Sequence, residues 1–278
     1  MDINFYGALS KGRLAFDRIA GLQQQILHSD DSEVYLYLHA TERTGLTFVF
    51  LLACMPLMGE DYGKQLYIRT DRKIYQLMKR IHAVEFYNTE NKNIDRPCFR
   101  RIRNQGDIFR LVTEIGGEAP VQMTEELADI MVSKMGEMYI NALDHSEAKT
   151  IIGGKYFKQN SRYCFCCYDS GIGIPQKVRR FLQETRRLTD LSDLGALEWA
   201  LKLGNSTIRE SGIPRGVGLH TLQSFAKAND GAIRICTGKA FYEFRNGIAK
   251  TYALQHSFVG TLFEMDILQD NMHKYILG

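Results

Sequence analysis

No apolar run in this sequence is long enough to cross a bilayer. The longest, Leu46 to Leu57, spans about twelve residues where a spanning helix needs ~20, so it is expected to be a buried helix, with no membrane partner. Met1 to Phe5 lack the basic start and apolar core of a secretion signal. Basic residues are not concentrated either: a net charge of +3 is spread along the chain, which gives no evidence for nucleic acid as a partner. Cys164 and Cys167 form a Cys-x-x-Cys, but no second pair completes a zinc site. The six cysteines mostly fall in apolar stretches, which reads as core packing in a reducing cytoplasm.

What is present is an ordinary soluble composition, with 45% hydrophobic and 24% charged residues over 278 positions. That length suits about two domains. Residues 1 to about 90 alternate helical and strand patterns: a helix from Leu14 to Leu27, a strand from Val34 to Leu38, a helix from Gly45 to Met58, a strand from Leu66 to Ile68 and a helix from Arg72 to Ile81. This predicts a small α/β domain. No phosphate loop, paired acids or nucleophile constellation interrupts it, so its expected role is regulatory or adhesive. Polar residues and Pro97 then mark residues 91–118 as a connection, followed by a second domain over 119–270 and a tail over 271–278.

The second domain carries the chemistry. Thr124 caps a helix with Glu125 and Glu126 in its first turn. Glu137, Asn141 and His145 follow at i, i+4 and i+8, on roughly one face. Taken alone, Glu137 and Asn141 read as an exposed polar pair, and His145 as a structural histidine or one that closes a site. An apolar strand from Tyr163 to Tyr168 leads into Asp169-Ser170-Gly171-Ile172-Gly173-Ile174-Pro175, a loop in which glycine lets backbone approach a ligand. Arg215-Gly216-Val217-Gly218-Leu219 repeats that logic before a helix whose free N–H groups can hold phosphate oxygens. After Gly231, four strands are expected: 232–237, 241–244, 250–254 and 261–267, separated by Gly238, Gly247 and Gly260. With the strand pair around 150–168 they predict an α/β (α+β) domain, a two-layer sandwich whose mixed, mostly antiparallel sheet is covered on one face by helices at 124, 194 and 219.

These motifs resemble those of the GHKL ATP-binding family, shared by DNA gyrase, the large ATP-driven heat-shock chaperones, sensor histidine kinases and MutL. Glu137-x-x-x-Asn141 matches its first motif, Asp169-x-Gly171-x-Gly173 the second, Gly216-x-Gly218-Leu219 the third and Gly260-Thr261-Leu262-Phe263 a fourth, over roughly residues 120 to 268. The resemblance implies a Bergerat-type fold, ATP and Mg2+. It gives Asn141 the metal, Asp169 the adenine amino group and Thr261 a water-mediated share of it. Gly171 and Gly173, beside Ile174, would leave room for base and ribose. Gly216, Val217, Gly218 and Leu219 would offer backbone donors to phosphates, with Arg215 either adding charge or facing solvent, and Glu137 would be the general base. Lys177, Arg179, Arg180, Arg186 and Arg187 fall where the family carries a lid. The N-terminal domain loosely resembles the STAS fold of anti-sigma antagonists, with Thr41 or Thr44 where those carry a phosphorylatable serine.

Three functions stay open at this level. One is an ATPase switch in signalling or in stress and phage response, with a protein partner or self-association. The others are a serine kinase of the anti-sigma type and a non-hydrolysing nucleotide sensor.

Overall fold

The computed structural model describes residues 1–7, 9, 12–40, 44–89, 98–158, 161–185, 190–202, 205 and 217–276. In the N-terminal third, β1 (Asp2–Gly7), β2 (Glu33–Ala40) and β3 (Gln65–Thr70) form a parallel three-stranded sheet in that order. The crossovers are α1 (Arg13–Leu27) and α2 (Leu46–Asp61), followed by α3 (Arg72–Arg80) and α4 (Ala83–Thr89). Every second residue of β2, namely Val34, Leu36 and Leu38, is buried. Among the described residues no helix packs on the opposite face of this sheet. On it Tyr6 stacks on His39 at 4.4 Å, Tyr35 stacks on Tyr67 at 4.9 Å, and the Arg69 guanidinium lies 5.7 Å above the Tyr37 ring.

The second sheet has five antiparallel strands in the order β4 (Phe99–Arg101), β6 (Ile151–Lys158), β7 (Arg162–Asp169), β9 (Ile248–Leu268), β8 (Ala232–Arg245). Between β4 and β6 come α5 (Gln105–Glu118), β5 (Val121–Met123) and α6 (Glu125–His145); between β7 and β8 come α7 (Gly173–Glu184), α8 (Asp193–Leu201) and α9 (Val217–Ala228). β10 (Asp270–Tyr275) pairs in parallel with β5. The architecture is therefore mixed α and β with a mostly antiparallel main sheet, as the sequence predicts.

The main sheet is covered on both faces, where the sequence reading placed helices on one. α5, α6 and α9 pack on the first face, against Tyr163, Phe165 and Cys167 of β7. The alternate residues Cys164, Cys166 and Tyr168 face the other way, into a core shared with α1, α2 and the buried side of the three-stranded sheet. A strand buried on both faces reads as an unbroken apolar run, which is what 163–168 is. Helix α2 is the middle layer, and thirteen of its sixteen residues are buried. An apolar surface all round a helix needs partners on both sides. Leu66 of the small sheet fills the space beside Gly59, and Phe50 fills the space beside Gly154 of β6. The five buried cysteines lie in these cores, and burial pushes the Cys164 thiol up to about 12.

Several boundaries differ from the sequence reading. Within the stretch expected as a connection, β4 is an edge strand of the main sheet and α5 packs on α6, with Leu111 fully buried; the residues before Cys98, including Pro97, lie outside the described residues. The expected tail contributes β10, whose polar sequence shows no alternation because its partner is a single short strand. Instead of four strands after Gly231 there are two long ones: the hairpin does not break at Gly238 and Gly260 but shifts register around them. Gly238 pairs with Phe258, yet Ala240 pairs with Ala253, which leaves residues 254–257 of β9 without partners on β8. Helix α1 supplies them. Asp17 Oδ1 accepts from the amides of Gln255 at 2.8 Å and His256 at 2.9 Å, Gln24 donates to the Ser257 carbonyl at 2.6 Å, and Gln23 accepts from the Val259 amide at 2.9 Å.

Toward one end of the main sheet the second face carries buried charges. Glu264 and Asp266, both at most 4% exposed, receive Arg234 at 2.7 and 2.8 Å; Lys158 reaches Glu264 at 2.5 Å and Arg162 reaches Asp266 at 2.9 Å. Burial works against both carboxylates, but Lys158 and Arg234 hold their pKa values below the ordinary range.

Candidate functional site

Helix α6 starts as its sequence dictates, with Thr124 Oγ1 accepting from the Leu127 amide and two acids in the first turn. Leu127, Met131, Met135, Tyr139 and Ala142 are buried, and the Tyr139 hydroxyl donates to the Cys166 carbonyl at 2.9 Å, which pins the helix to β7. Ile140 is 37% exposed. Glu137 and Asn141 are exposed, and His145 is half-buried in the last turn. Glu137 accepts from Lys134 at 2.5 Å.

The end of α6 meets the glycine loop. The carbonyl of its capping residue, Ser146, accepts from the Ile172 amide at 2.9 Å. A Cβ on Gly171 would sit 2.0 Å from that oxygen. At 1.5 Å of rise per residue, Asn141 lies roughly 7 Å and Glu137 roughly 13 Å back along the helix from this contact. Gly171→Ala is expected to push the loop off the helix end at a cost of about 1–3 kcal/mol, read as a lower urea midpoint with an unchanged slope.

Asp169 ends β7 opposite Thr261 of β9. Its side chain is buried, and Oδ1 accepts from the Gly171 amide at 2.9 Å. Burial pushes its pKa up to about 7, against the lowering effect of the Gly171 and Thr261 amides. Among the described residues no cation pairs with it. Gly173, at φ 76°, starts α7 in a left-handed conformation that L side chains rarely adopt. Thr237 closes the group: its hydroxyl accepts from the Ile174 amide at 3.0 Å, donates to the Gly260 carbonyl at 3.0 Å and lies 3.2 Å from Thr261 Oγ1. Asp169, Gly171, Gly173, Ile174 and Thr261 thus come together from segments almost a hundred residues apart. Thr237 was not singled out in the sequence, because one threonine at a strand end carries no signal.

The glycines serve the protein's own packing here. Where Gly171 would carry a Cβ stands the Ser146 carbonyl; beside Gly173 stand Thr237 Oγ1 and the Gly260 carbonyl. Of the third motif, Arg215 and Gly216 lie outside the described residues; Val217 and Gly218 begin α9, and Leu219 packs toward the first-face core. Lys177 and Arg180 face Glu147, and Arg179 binds Asp193 at 2.7 Å, so these three cations are each beside an acid. Arg186, Arg187 and Thr41 lie outside the described residues.

No protein-family model matches the chain, and no curated protein does. Among solved structures, the histidine kinase domain from the Erythrobacter litoralis EL346 blue-light activated histidine kinase aligns over 91% of this chain and 92% of its own. Identity is 12% and the TM-score 0.29, so this likeness carries no argument. No helix among the described residues is long and apolar enough to cross a membrane.

Proposed function

We propose that the chain is a magnesium-dependent ATP-binding protein of the GHKL type that hydrolyses ATP and acts as a nucleotide-driven switch on a protein partner or a second copy. In this reading residues 119–270 are a Bergerat-type sandwich and the N-terminal third a STAS-like layer. The observation that carries it is Asp169, a buried acid with backbone amides and, among the described residues, no cation as its partners. It stands where the end of β7, Thr261 within β9, the Gly171–Gly173 loop and the end of α6 meet. An acid kept in such a place is a candidate for recognising a ligand donor such as the adenine amino group.

The order of groups along α6 supports an elongated ligand, with its base at Asp169 and Thr261 and its phosphates toward Asn141 and Glu137. Asn141 presents an exposed amide oxygen, which suits a hard cation that takes oxygen ligands and keeps several waters. When bound, the magnesium would neutralise phosphate charge. Glu137, exposed at the far end, holds a carboxylate able to take a proton from an attacking water. Its ion pair with Lys134 favours a second reading, a serine kinase or nucleotide sensor, in which this carboxylate stays engaged.

Phosphate release from MgATP separates the two. Glu137→Ala is expected to bind ATP within about threefold of wild type and to lose at least roughly 100-fold in turnover. Equal turnover in both proteins would remove Glu137 from the mechanism. ATP bound without turnover by the wild type would favour the second reading.

A further inference from the structure

Asp61, the last residue of α2, breaks a local rule. A carboxylate at a helix C-terminus faces the negative end of the helix dipole, so its reason to be there must come from elsewhere. It comes from the loop at Asp169. Asp61 Oδ2 accepts from the Ser170 hydroxyl, and Oδ1 accepts from Thr150 Oγ1 at 3.1 Å. The next residue, Tyr62, donates its hydroxyl to the Ser170 carbonyl at 3.1 Å. Ser170 and Thr150 are buried, and the Ser170 amide donates to the Thr150 carbonyl at 3.0 Å. Ser170 lies between Asp169 and Gly171. Both ends of its chemistry, hydroxyl and carbonyl, are therefore held by residues 108 and 109 positions earlier in the chain.

The post that holds them is packed along its length. Helix α2 is wedged between the two sheets, and near its other end Thr47 accepts from the buried Tyr156 hydroxyl at 3.1 Å. A helix gripped along its length moves as a body, so a shift of the N-terminal layer is delivered to Ser170 without loss in a flexible linker.

We propose that Asp61, with Tyr62, is a positioning residue that sets the Asp169–Gly173 loop from the N-terminal layer, so that this layer controls nucleotide affinity. The second half of the statement rests on the ATP-binding reading above; the first does not. Coupling of this kind is reciprocal: a ligand that fixes the loop also fixes α2.

The test is a double-mutant cycle of Asp61→Ala and Ser170→Ala, read by MgATP affinity and, without nucleotide, by hydrogen exchange of residues 169–175. Each single variant is expected to bind MgATP about tenfold more weakly, the double variant no more weakly than either, and the loop amides to exchange faster in Asp61→Ala than in wild type. Faster exchange confined to this loop and to the end of α2 distinguishes positioning from general loosening. Losses that add, or loop exchange equal to wild type, would overturn the proposal. If wild type fails to bind MgATP while the loop still exchanges faster in Asp61→Ala, the functional reading falls and the positioning role stands. Should Asp61→Ala not fold, Asp61→Asn keeps the size and one acceptor and is expected to give a smaller change in the same direction; no change there would also overturn it.

Discussion

Asp169→Asn is expected to melt higher than the wild type at pH 8 and to lose most of its ATP binding. Burial raises the pKa of Asp169 from 3.8 to about 7, so the folded state holds a proton that the unfolded state releases. As pH rises from about 4 to 7 this group makes folding steadily less favourable, and above 7 the full cost is present. The gap between the two values caps that cost at about 4 kcal/mol. Asparagine cannot ionise, but its single oxygen can accept from only one side, which returns about 1–2 kcal/mol of it. A net gain of about 2 kcal/mol at pH 8, or about 4 °C in Tm, is expected, turning into a loss of about 1–2 kcal/mol near pH 4, where only the missing hydrogen bond counts. ATP affinity is expected to fall roughly 10- to 100-fold, the range for a hydrogen bond to a charged acceptor. Paired thermal melts at pH 4.5 and 8, with titration calorimetry at pH 8, measure both. An equal Tm difference at the two pH values would show that the carboxyl is ionised across the whole range.

Arg234→Met is expected to destabilise the chain by about 3–5 kcal/mol at pH 7, the cost of leaving buried carboxylates short of a cation. Arg234 bridges Glu264, Asp266 and Glu243, while Lys158 alone would remain on Glu264. Arg162 also reaches Asp266 but sits nearer solvent, so Arg162→Met is expected to cost about 1 kcal/mol. The pH dependence runs opposite to that of Asp169. Glu264 and Asp266 have lowered pKa values, so their contribution is present above their ordinary 4.5 and 3.8 and is lost as pH falls through the folded values. The gap between wild type and Arg234→Met should therefore narrow as pH falls below about 4.5 in urea unfolding. A gap that stays constant would mean that packing, and not charge, is what Arg234 supplies.

Elements with a clean period were legible in the sequence. The helices at 13–27, 46–61 and 72–80 and the strands at 33–40 and 65–70 stand within about three residues of where the sequence reading puts them, because 46–61 is one unbroken apolar run and the others bury one regular face. β1 was not read, since Asp2, Asn4 and Tyr6 face away from the core on a short edge strand and leave little apolar signal. α5 hid behind a polar stretch, and β10 behind a sequence whose only reason to extend is its pairing with β5. Glycine misled in one respect. Gly238 and Gly260 have positive φ, a feature that usually ends strands, yet here it shifts the register of a hairpin that continues. In the site, Asp169, Gly171, Gly173, Ile174 and Thr261 were found by motif and are together in space. Thr237, Asp61 and Thr150 were not, since what joins them to the loop is distance in three dimensions and nothing local in the chain.

The bracing of β9 by α1 has a consequence for how the molecule is made. Asp17, Gln23 and Gln24 leave the ribosome more than two hundred residues before the amides and carbonyl they hold, and α1, α2 and the small sheet share their core with residues up to Leu262. The N-terminal third emerges with the apolar surface of α2 uncovered and must wait for nearly the whole chain before that surface can close. Contacts this distant in sequence make for slow folding and a long interval of exposure. In the cell, chaperone occupancy should track the synthesis of β8 and β9.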